Sequence, residues 1–286
     1  MCRFILYQGE PLQLSSLITA PKNSLIHQSF HNHERREPLN GDGFGVAWYS
    51  NEDELHPGLF RSTMPAWNNA NLVSLARTVQ SHTILAHIRA ASHPGAVSEG
   101  NCHPFVAGQL SFMHNGQLGG FPALRRSLLT SLTDEAFGGI HGHTDTEHIF
   151  ALFLEQLEVP ARKASADDLA EALLRAMGDA LRFSEPHVEV GEESHLNLAV
   201  SNGHCAAVSR FTTKADYDSE SLYWISGCRC VHEGDMCCME PAETGPSSVV
   251  VSSERLDTAS GWSSVPRNHI VLIHSDGSAS LRQIQL

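Results

Sequence analysis

Long hydrophobic runs are absent from this sequence. No stretch approaches the roughly 20 consecutive apolar residues that a transmembrane helix needs, so we expect no membrane partner. A secretory signal is also missing, because the short apolar run that follows Arg3 ends at Gln8. These absences favour a cytoplasmic protein.

Positive charge is scarce. The chain has 19 Lys and Arg residues against 32 Asp and Glu residues, a formal net charge of −13. A surface that binds nucleic acid needs basic side chains opposite the phosphates, so this balance argues against a nucleic-acid partner. The hydrophobic and charged fractions, 41% and 18%, are those of an ordinary globular protein.

Cysteine pairs with the spacing of a zinc site are missing. The seven cysteines are an odd number, and without a secretory signal they argue against a disulfide framework. Cys228 and Cys230 are one residue apart and Cys237 is adjacent to Cys238, whereas zinc fingers place about two to four residues between paired ligands. We therefore interpret these side chains as buried free thiols, and we predict no metal site and no cofactor.

Strand and helix patterns follow one another without a linker, an internal repeat or a low-complexity tract. The predicted strands are 3–7, 46–49, 83–88, 109–113, 196–201, 206–211, 221–226, 247–253 and 269–275. The predicted helices are 14–18, 69–79, 122–133, 144–157 and 166–182. Strands, a helical middle and more strands predict two sheets with helices packed against them in one α+β domain.

Dipeptides that contain glycine mark the predicted tight turns. Asn202-Gly203 and Asp276-Gly277 predict turns between C-terminal strands. Asn115-Gly116 predicts a hairpin turn directly after the strand at 109–113. Residues 22–40 are polar and rich in histidine, and we expect an exposed loop over HNHERREPLN, residues 31–40.

The chain begins Met1-Cys2-Arg3. Removal of Met1, which a small second residue permits, would leave Cys2 with a free α-amino group. The thiolate is the attacking form of cysteine, and an α-amine with a pKa of about 7.7–8.0 can accept the thiol proton directly or through one water. This position alone is weak evidence, because Cys2 also fits an ordinary residue of the first strand.

Further motifs follow in the order Asn40–Gly45, Ala86–Arg89, His114–Gly116 and Thr144–Glu147. Each is weak alone. Together with the N-terminal cysteine they resemble the class II glutamine amidotransferases, which are N-terminal nucleophile hydrolases. The segments MCRF, NGDGFGVAWY, PAWNN, NCHPF and FMHNG are most similar to the amidotransferase-like subunits of the cytosolic glutathione-degradation complex.

The resemblance implies a four-layer αββα sandwich. It implies a single domain over residues 2–286, with the catalytic motifs in 2–150 and the strands in 195–286 completing the sandwich. No sugar-isomerase, phosphoribosyl or synthetase region follows these strands. We therefore expect that the chain does not itself pass ammonia to an acceptor.

The resemblance also implies catalytic roles. Cys2 would attack the γ-carbonyl of a γ-glutamyl amide, giving a γ-glutamyl thioester that water hydrolyses. The Asn115 side chain and the Gly116 N–H would form the oxyanion hole. Arg89 would bind the substrate α-carboxylate as a planar bidentate donor, and Asp145 would bind the α-ammonium group. The alternative for Asp145 is a first-turn acid that stabilises a helix.

Other side chains are expected at the edge of the site. Gly41 and Gly43 would bring a turn close to the terminal amine. Ser92 stands where family members commonly have threonine, and it can still donate a hydroxyl. Trp67, flanked by amides, suits a pocket rim or a partner surface, and packing over a sheet edge is the alternative.

His87, His103 and His114 are expected to line the pocket wall or to donate hydrogen bonds behind it. They lie on separate strand ends without the spacing of a ligand pair, which disfavours a metal site.

The expected substrate is therefore a γ-glutamyl compound, with glutathione first. A glutaminase and a γ-glutamyl hydrolase of thiol-histidine biosynthesis are alternatives. A non-catalytic regulatory subunit is the alternative from another class. The resemblance to a subunit also implies a metallopeptidase-like protein partner.

Overall fold

Two antiparallel sheets lie face to face, and helices cover their outer faces. The computed structural model describes residues 2–31, 39–50, 56–91, 97–189, 192–215, 220–233, 236–241 and 248–286. The strands are β1 (Arg3–Gln13), β2 (Phe44–Tyr49), β3 (Gly58–Ser62), β4 (Gln80–Ile88), β5 (Phe105–Ala107), β6 (Leu110–Gln117), β7 (His195–Ser201), β8 (Ala206–Arg210), β9 (Tyr223–Glu233), β10 (Met236–Pro241), β11 (Ser248–Ser252), β12 (Ser263–Ser264), β13 (His269–Ile273) and β14 (Ala279–Gln283).

The strand order places β1 at the centre of the first sheet. That order is β10-β9-β11-β1-β4-β2-β3, with β12 beside β9. The second sheet has the order β14-β13-β8-β7-β6-β5. Strands from the C-terminal part therefore enter both sheets, and β11 is a direct neighbour of β1.

The helices are α1 (Ser15–Ile18), α2 (Leu25–Phe30), α3 (Ala70–Thr78), α4 (Phe121–Ser131), α5 (Asp134–Gly138), α6 (Asp145–Gln156) and α7 (Ala166–Ser184). Side-chain caps start several of them. Asn69 accepts a hydrogen bond from the Leu72 N–H at the start of α3, and Ser165 with Asp168 forms a capping box on α7. The helices predicted at these places are confirmed.

The period-2 pattern of β1 shows how the layers form. Phe4 and Leu6 are fully buried between the two sheets, while Ile5 and Tyr7 face the layer of α1, α2 and α3. On the second sheet, Phe112 packs against Phe150 of α6. Each fully buried Phe or Leu contributes about 1.5–3 kcal/mol. The expected four-layer αββα sandwich is confirmed.

Several short elements were not predicted. One of them is α2, which begins after Ser24, whose side chain accepts the His27 N–H. Residues 32–38 of the expected loop lie outside the described residues. The strands β3, β10 and β14 were not predicted, and Leu281 on β14 shows why, since it remains 38% exposed without a buried apolar run around it. The turns at Asn202-Gly203 and Asp276-Gly277 are confirmed between β7 and β8 and between β13 and β14.

The hairpin predicted at Asn115-Gly116 is wrong. Both residues lie inside β6, where they stand opposite Asn197 and Leu196 of β7. The strand continues because β7, far away in sequence, pairs with β6 through Gln117. Long-range pairing therefore overrides the local preference of the dipeptide for a turn.

The interpretation of the C-terminal cysteines as free thiols is wrong for two of them. Cys230 and Cys237 form a disulfide across the β9–β10 hairpin, with their Cα atoms 6.0 Å apart. The hairpin brings them together within the ordinary range for a disulfide, which the sequence spacing did not reveal. Cys228 remains a thiol, which donates a hydrogen bond to Ser248 O at 3.3 Å. Among the described residues, no group of three or more His, Cys, Asp or Glu side chains could hold a metal ion.

None of the helices in the described parts of the chain is both long enough and apolar enough to cross a membrane.

Candidate active site

Cys2 lies at the end of the central strand. It directly precedes β1, where Arg3 pairs with Ile88 of β4. The Ala90 N–H donates a hydrogen bond to Cys2 Sγ at 3.4 Å. Burial raises the pKa of the Cys2 thiol, and the hydrogen bond from Ala90 opposes this shift. The thiol is therefore protonated at neutral pH, so a nucleophilic attack by Cys2 requires a base.

The turn at Asn40–Gly43 is hydrogen-bonded to the segment that follows β4. The Arg89 N–H donates to Gly43 O at 2.9 Å, and the Asp42 N–H donates to Arg89 O at 3.2 Å. The Ala91 N–H donates to Asp42 Oδ2 at 2.8 Å. These bonds hold the Arg89–Ala91 backbone, and through Ala90 they hold the position of the Cys2 thiol. Arg89 itself is 6% exposed at this end of β4.

Glycine is required at position 43. Gly43 has φ +112°, and a Cβ there would lie 2.6 Å from Cys102 Sγ and 2.7 Å from Ser62 O. Gly41 is also enclosed, because a Cβ there would lie 3.0 Å from the Trp67 ring. The two glycines thus let the turn pass between β3, Trp67 and the thiol of Cys102.

Asn115 approaches the first sheet from the second. It is 1% exposed, and its Nδ2 donates a hydrogen bond to Ser253 Oγ at 3.4 Å. Ser253 Oγ also accepts the Phe4 N–H at 3.0 Å. Asn115 Oδ1 is buried without a hydrogen-bond partner among the described residues. The amide therefore lies beside the strand that begins next to Cys2.

The Gly116 N–H points away from β7. Leu196, opposite Gly116, donates its N–H to Phe211 O on the far side of β7 at 2.9 Å. The N–H and C=O of one strand residue point to the same side, so Gly116 and Leu196 form a non-hydrogen-bonded pair. Within the described residues, β5 pairs only with Leu110–Phe112 on the other side of β6. The Gly116 N–H is thus directed to an edge that β5 leaves uncovered.

A side chain would not fit at position 116, because the His195 carbonyl occupies that space. A Cβ there would lie 1.8 Å from His195 O. That carbonyl contacts His114 Nε2 at 2.9 Å, and His114 Nδ1 contacts Thr146 Oγ1 at 3.1 Å. His114 therefore points to the helix layer, where it joins β6, β7 and the start of α6.

Asp145 is the first residue of α6. Its Oδ1 accepts the Thr146 N–H at 2.8 Å, and its Oδ2 accepts the Leu118 N–H at 2.8 Å. The side chain is 19% exposed. The second bond ties the helix start to the segment after β6, which a helix-stabilising acid alone does not require. Asp145 thus combines a helix-start position with a place near the end of β6.

Two buried histidines are neutral. His87 Nε2 contacts His114 O and His103 Nδ1, each at 3.0 Å. Burial lowers the pKa of His87 to about 3 and lowers that of His103 well below its ordinary value. Neither ring is therefore protonated at neutral pH, and neither supplies a proton there.

Two predicted residues stand at the margin. Trp67 lies in a short 3-10 turn, is 38% exposed and contacts the Phe30 ring edge-on at 6.2 Å between centroids. Its ring lies against Gly41. Ser92 lies outside the described residues.

The sequence reasoning missed a buried ion pair beside Cys2. Arg3 Nε lies 3.0 Å from Glu254 Oε1, and the two side chains are 3% and 2% exposed. The Arg3 guanidinium also donates to Cys2 O at 2.9 Å. A charged residue directly before the apolar run FILY was the available signal, because a buried cation requires a partner.

Glu147 has a role beyond the first turn of α6, where Thr144 accepts its N–H. The Glu147 carboxylate is buried, and it accepts the N–H groups of His141 and Gly142 at 2.8 and 2.6 Å. It thereby fixes the loop that precedes Asp145.

Comparison with known proteins agrees with this geometry. Residues 15–225 match the family described as Glutamine amidotransferases class-II. The chain is 39% identical to the probable glutamine amidotransferase DUG3 of Saccharomyces cerevisiae, over 96% of this chain and 82% of that protein. It is 26% identical to the gamma-glutamyl-hercynylcysteine sulfoxide hydrolase of Mycolicibacterium smegmatis, over 95% of each chain. A solved glutamine aminotransferase class-II domain protein from Silicibacter pomeroyi superposes with a TM-score of 0.68 at 28% identity, with both chains fully covered.

The chain belongs to the class II glutamine amidotransferases. This confirms the family expected from the motifs. The family and the names of these relatives also confirm the expected class of enzyme, a γ-glutamyl amidohydrolase.

Proposed function

We propose that this protein hydrolyses the γ-glutamyl amide bond of glutathione or of a related γ-glutamyl compound, with Cys2 as the nucleophile. The observation that supports this most directly is the junction of Cys2 with the two sheets. Its thiol is hydrogen-bonded to Ala90, and the next strand residues are linked through Ser253 to Asn115. A nucleophile and a candidate oxyanion donor are thus held by one hydrogen-bonded unit.

The base in this proposal is the α-amine that Cys2 gains when Met1 is removed. It takes the thiol proton, and the thiolate adds to the γ-carbonyl carbon. The Asn115 amide and the Gly116 N–H stabilise the oxyanion, at about 3–4 kcal/mol per donor. The C–N bond then breaks, and the leaving amine takes the proton from the α-ammonium. Water attacks the γ-glutamyl thioester, and glutamate is released with the free thiol.

The substrate head is held in this proposal by Arg89 and Asp145. Arg89 meets the α-carboxylate with a planar fork, and Asp145 meets the α-ammonium. Gly41, Gly43 and His87 build the surrounding wall, with Trp67 at its rim. The reaction needs no cofactor, and a cytoplasmic location fits glutathione as the substrate.

A protein partner is part of the proposal. A metallopeptidase-like subunit would bind near the mouth of the site and complete the wall around the leaving group. Exposed apolar side chains near the Asn40–Gly43 turn support this, namely Phe30, Leu39, Met64 and Trp67, which are 44%, 59%, 47% and 38% exposed. Such side chains on one surface are typical of an interaction site.

The test compares γ-glutamyl substrates on protein of verified N-terminus. Intact-mass measurement is expected to show the loss of one methionine, and a diazo-ketone glutamine analogue is expected to label Cys2. Glutathione, glutamine and γ-glutamyl-hercynylcysteine sulfoxide are then assayed side by side, because the relative from M. smegmatis is named as a hydrolase of the last compound.

Variants of Cys2 test whether its thiol is the nucleophile. Cys2→Ala is expected to abolish turnover, and Cys2→Ser to retain little, because a hydroxyl is far less ionised than a thiol. Turnover or labelling that survives Cys2→Ala would contradict the proposal. A protein that keeps Met1 and has no turnover on any of these substrates would favour the regulatory alternative.

A further inference from the structure

Ser253, in the C-terminal half of the chain, is hydrogen-bonded to β1, the strand that directly follows Cys2. It directly follows β11, the neighbour of β1. Its Oγ accepts the Phe4 N–H and its own N–H donates to Phe4 O, both at 3.0 Å. The next residue, Glu254, forms the buried ion pair with Arg3 at 3.0 Å. Ser253 is 1% exposed, so these bonds give it one position relative to β1.

The same hydroxyl reaches the other sheet. Ser253 Oγ accepts a hydrogen bond from Asn115 Nδ2 at 3.4 Å. One oxygen atom therefore connects the backbone two residues after Cys2 with the side chain of Asn115. An amide nitrogen has two hydrogens, so the bond to Ser253 leaves the second for an oxyanion.

The orientation of that amide requires such a contact. The terminal torsion of an asparagine side chain is broad, and it does not by itself fix where the amide points. Oxyanion donors act only when they are held about 2.7–3.1 Å from the place where charge develops. A displacement of a catalytic group by about 1 Å can lower the rate by about 100-fold.

We propose that Ser253 is a positioning residue that orients the Asn115 amide relative to the Cys2 thiol. The proposal rests on the roles proposed above for Cys2 and Asn115. Ser253 touches neither the substrate nor the thiol. Ser253 fixes the Asn115 amide relative to β1, the strand that directly follows Cys2. The thiol and the oxyanion donor therefore keep a constant separation. The alternative is a purely structural serine that satisfies the Phe4 N–H.

The experiment uses the full chain and L-γ-glutamyl p-nitroanilide as a chromogenic probe. Ser253→Ala removes the hydroxyl, and Ser253→Thr keeps it. We expect Ser253→Ala to lower kcat by about 10- to 100-fold with KM within about twofold, since only transition-state contacts are lost. We expect Ser253→Thr to restore kcat to within about threefold of the unmodified protein.

Alkylation of Cys2 by iodoacetamide separates the two roles. That displacement develops no oxyanion, so its rate is expected to stay within about twofold in Ser253→Ala. A matched control is Ser81→Ala, at the far end of the same sheet. Ser81 is also buried and also bonds a neighbouring strand, with its Oγ 3.0 Å from Tyr49 N and 2.7 Å from Tyr49 O. Its kcat is expected to be unchanged.

Three results would overturn the proposal: a kcat loss below threefold in Ser253→Ala, an equal fall in alkylation and turnover, or a threonine variant no better than alanine. If Ser253→Ala does not fold, Ser253→Cys replaces the hydroxyl by a weaker acceptor of similar shape. It should then lower kcat with KM unchanged, and full activity would count against the proposal. Turnover by Cys2→Ala would instead refute the proposed function, so the two failures are distinguishable.

Discussion

At the scale of single residues, the groups that carry charge in the site differ from the group proposed to transfer the proton. The buried rings of His87 and His103 are neutral, and the pKa of the Cys2 thiol is raised by burial. Proton transfer in the proposed reaction therefore depends on the α-amine of Cys2. The proposed function assigns the charges of Arg89 and Asp145 to binding the substrate head.

Substitution of that pair tests this division. Arg89→Lys is expected to lower kcat/KM for γ-glutamyl substrates by about 10-fold or more, because a point charge does not reproduce the bidentate fork. Asp145→Asn is expected to lower kcat/KM as well, by loss of the contact with the α-ammonium. Steady-state kinetics on the γ-glutamyl anilide, with thermal unfolding as the control for folding, measures both.

An unchanged kcat/KM in Asp145→Asn would give Asp145 only its helix-start role. In that case the bonds from Thr146 and Leu118 to its carboxylate would be its whole function. Substrates that lack the α-amino group provide a further comparison, because their kcat/KM should respond to Arg89→Lys but not to Asp145→Asn.

At the scale of secondary-structure elements, His87 joins the two sheets. It projects from β4 of the first sheet and contacts the carbonyl of His114 in β6 of the second sheet at 3.0 Å. The pKa of His87 falls to about 3 in the fold, against an ordinary value of 6.5. Below pH 6.5 the unfolded chain gains a proton that the folded chain does not, so stability is complete above this pH and falls as pH decreases.

We therefore expect His87 to steepen the loss of stability in acid. Between pH 5.5 and pH 4, the free energy of unfolding should fall about 1.4 kcal/mol per pH unit faster in the unmodified protein than in His87→Gln. Urea denaturation at several pH values measures this. The control is the slope between pH 7.5 and pH 8.5, where His87 is neutral in both states and the two proteins should agree. Equal slopes in acid for His87→Gln and the unmodified protein would show that His87 does not titrate in this way.

Many of the strands and helices could be predicted from the sequence. The short apolar run at residues 3–7 and the 3.6-residue period in α7 identify their elements correctly. The predictions failed where a distant partner decides the outcome. Asn115 and Gly116 form a strand because β7 pairs with them, and Cys230 meets Cys237 because β9 and β10 form a hairpin. The single domain over residues 2–286 stays a prediction.

At the scale of the whole molecule, the surface beside the Asn40–Gly43 turn is the place where we propose that a partner binds. We expect the isolated chain to hydrolyse glutathione slowly, and the partner to raise kcat/KM by ordering the site. Trp67→Ala should reduce this activation more than it reduces the rate without partner. The matched control is Phe137→Ala on α5, which removes a side chain that is 52% exposed outside the Phe30, Leu39, Met64 and Trp67 surface.

Titration of the partner into each variant, with glutathione turnover as the readout, measures this activation. Full turnover by a purified, monodisperse chain without any addition would refute the need for a partner and leave the Cys2 chemistry intact. An equal effect of Trp67→Ala and Phe137→Ala would place the partner elsewhere.

The sequence by itself determined the family and its candidate residues, because Cys2, Arg89, Asn115 and Asp145 belong to short motifs whose order along the chain is diagnostic. Tertiary structure alone decided what surrounds them. Ser253 and Glu254 lie more than 130 residues from Asn115 along the chain. Ser253 nevertheless contacts Asn115, and both residues contact β1, because β11 pairs with β1. No local pattern encodes such a contact, since it depends on which strands become neighbours in the sheet.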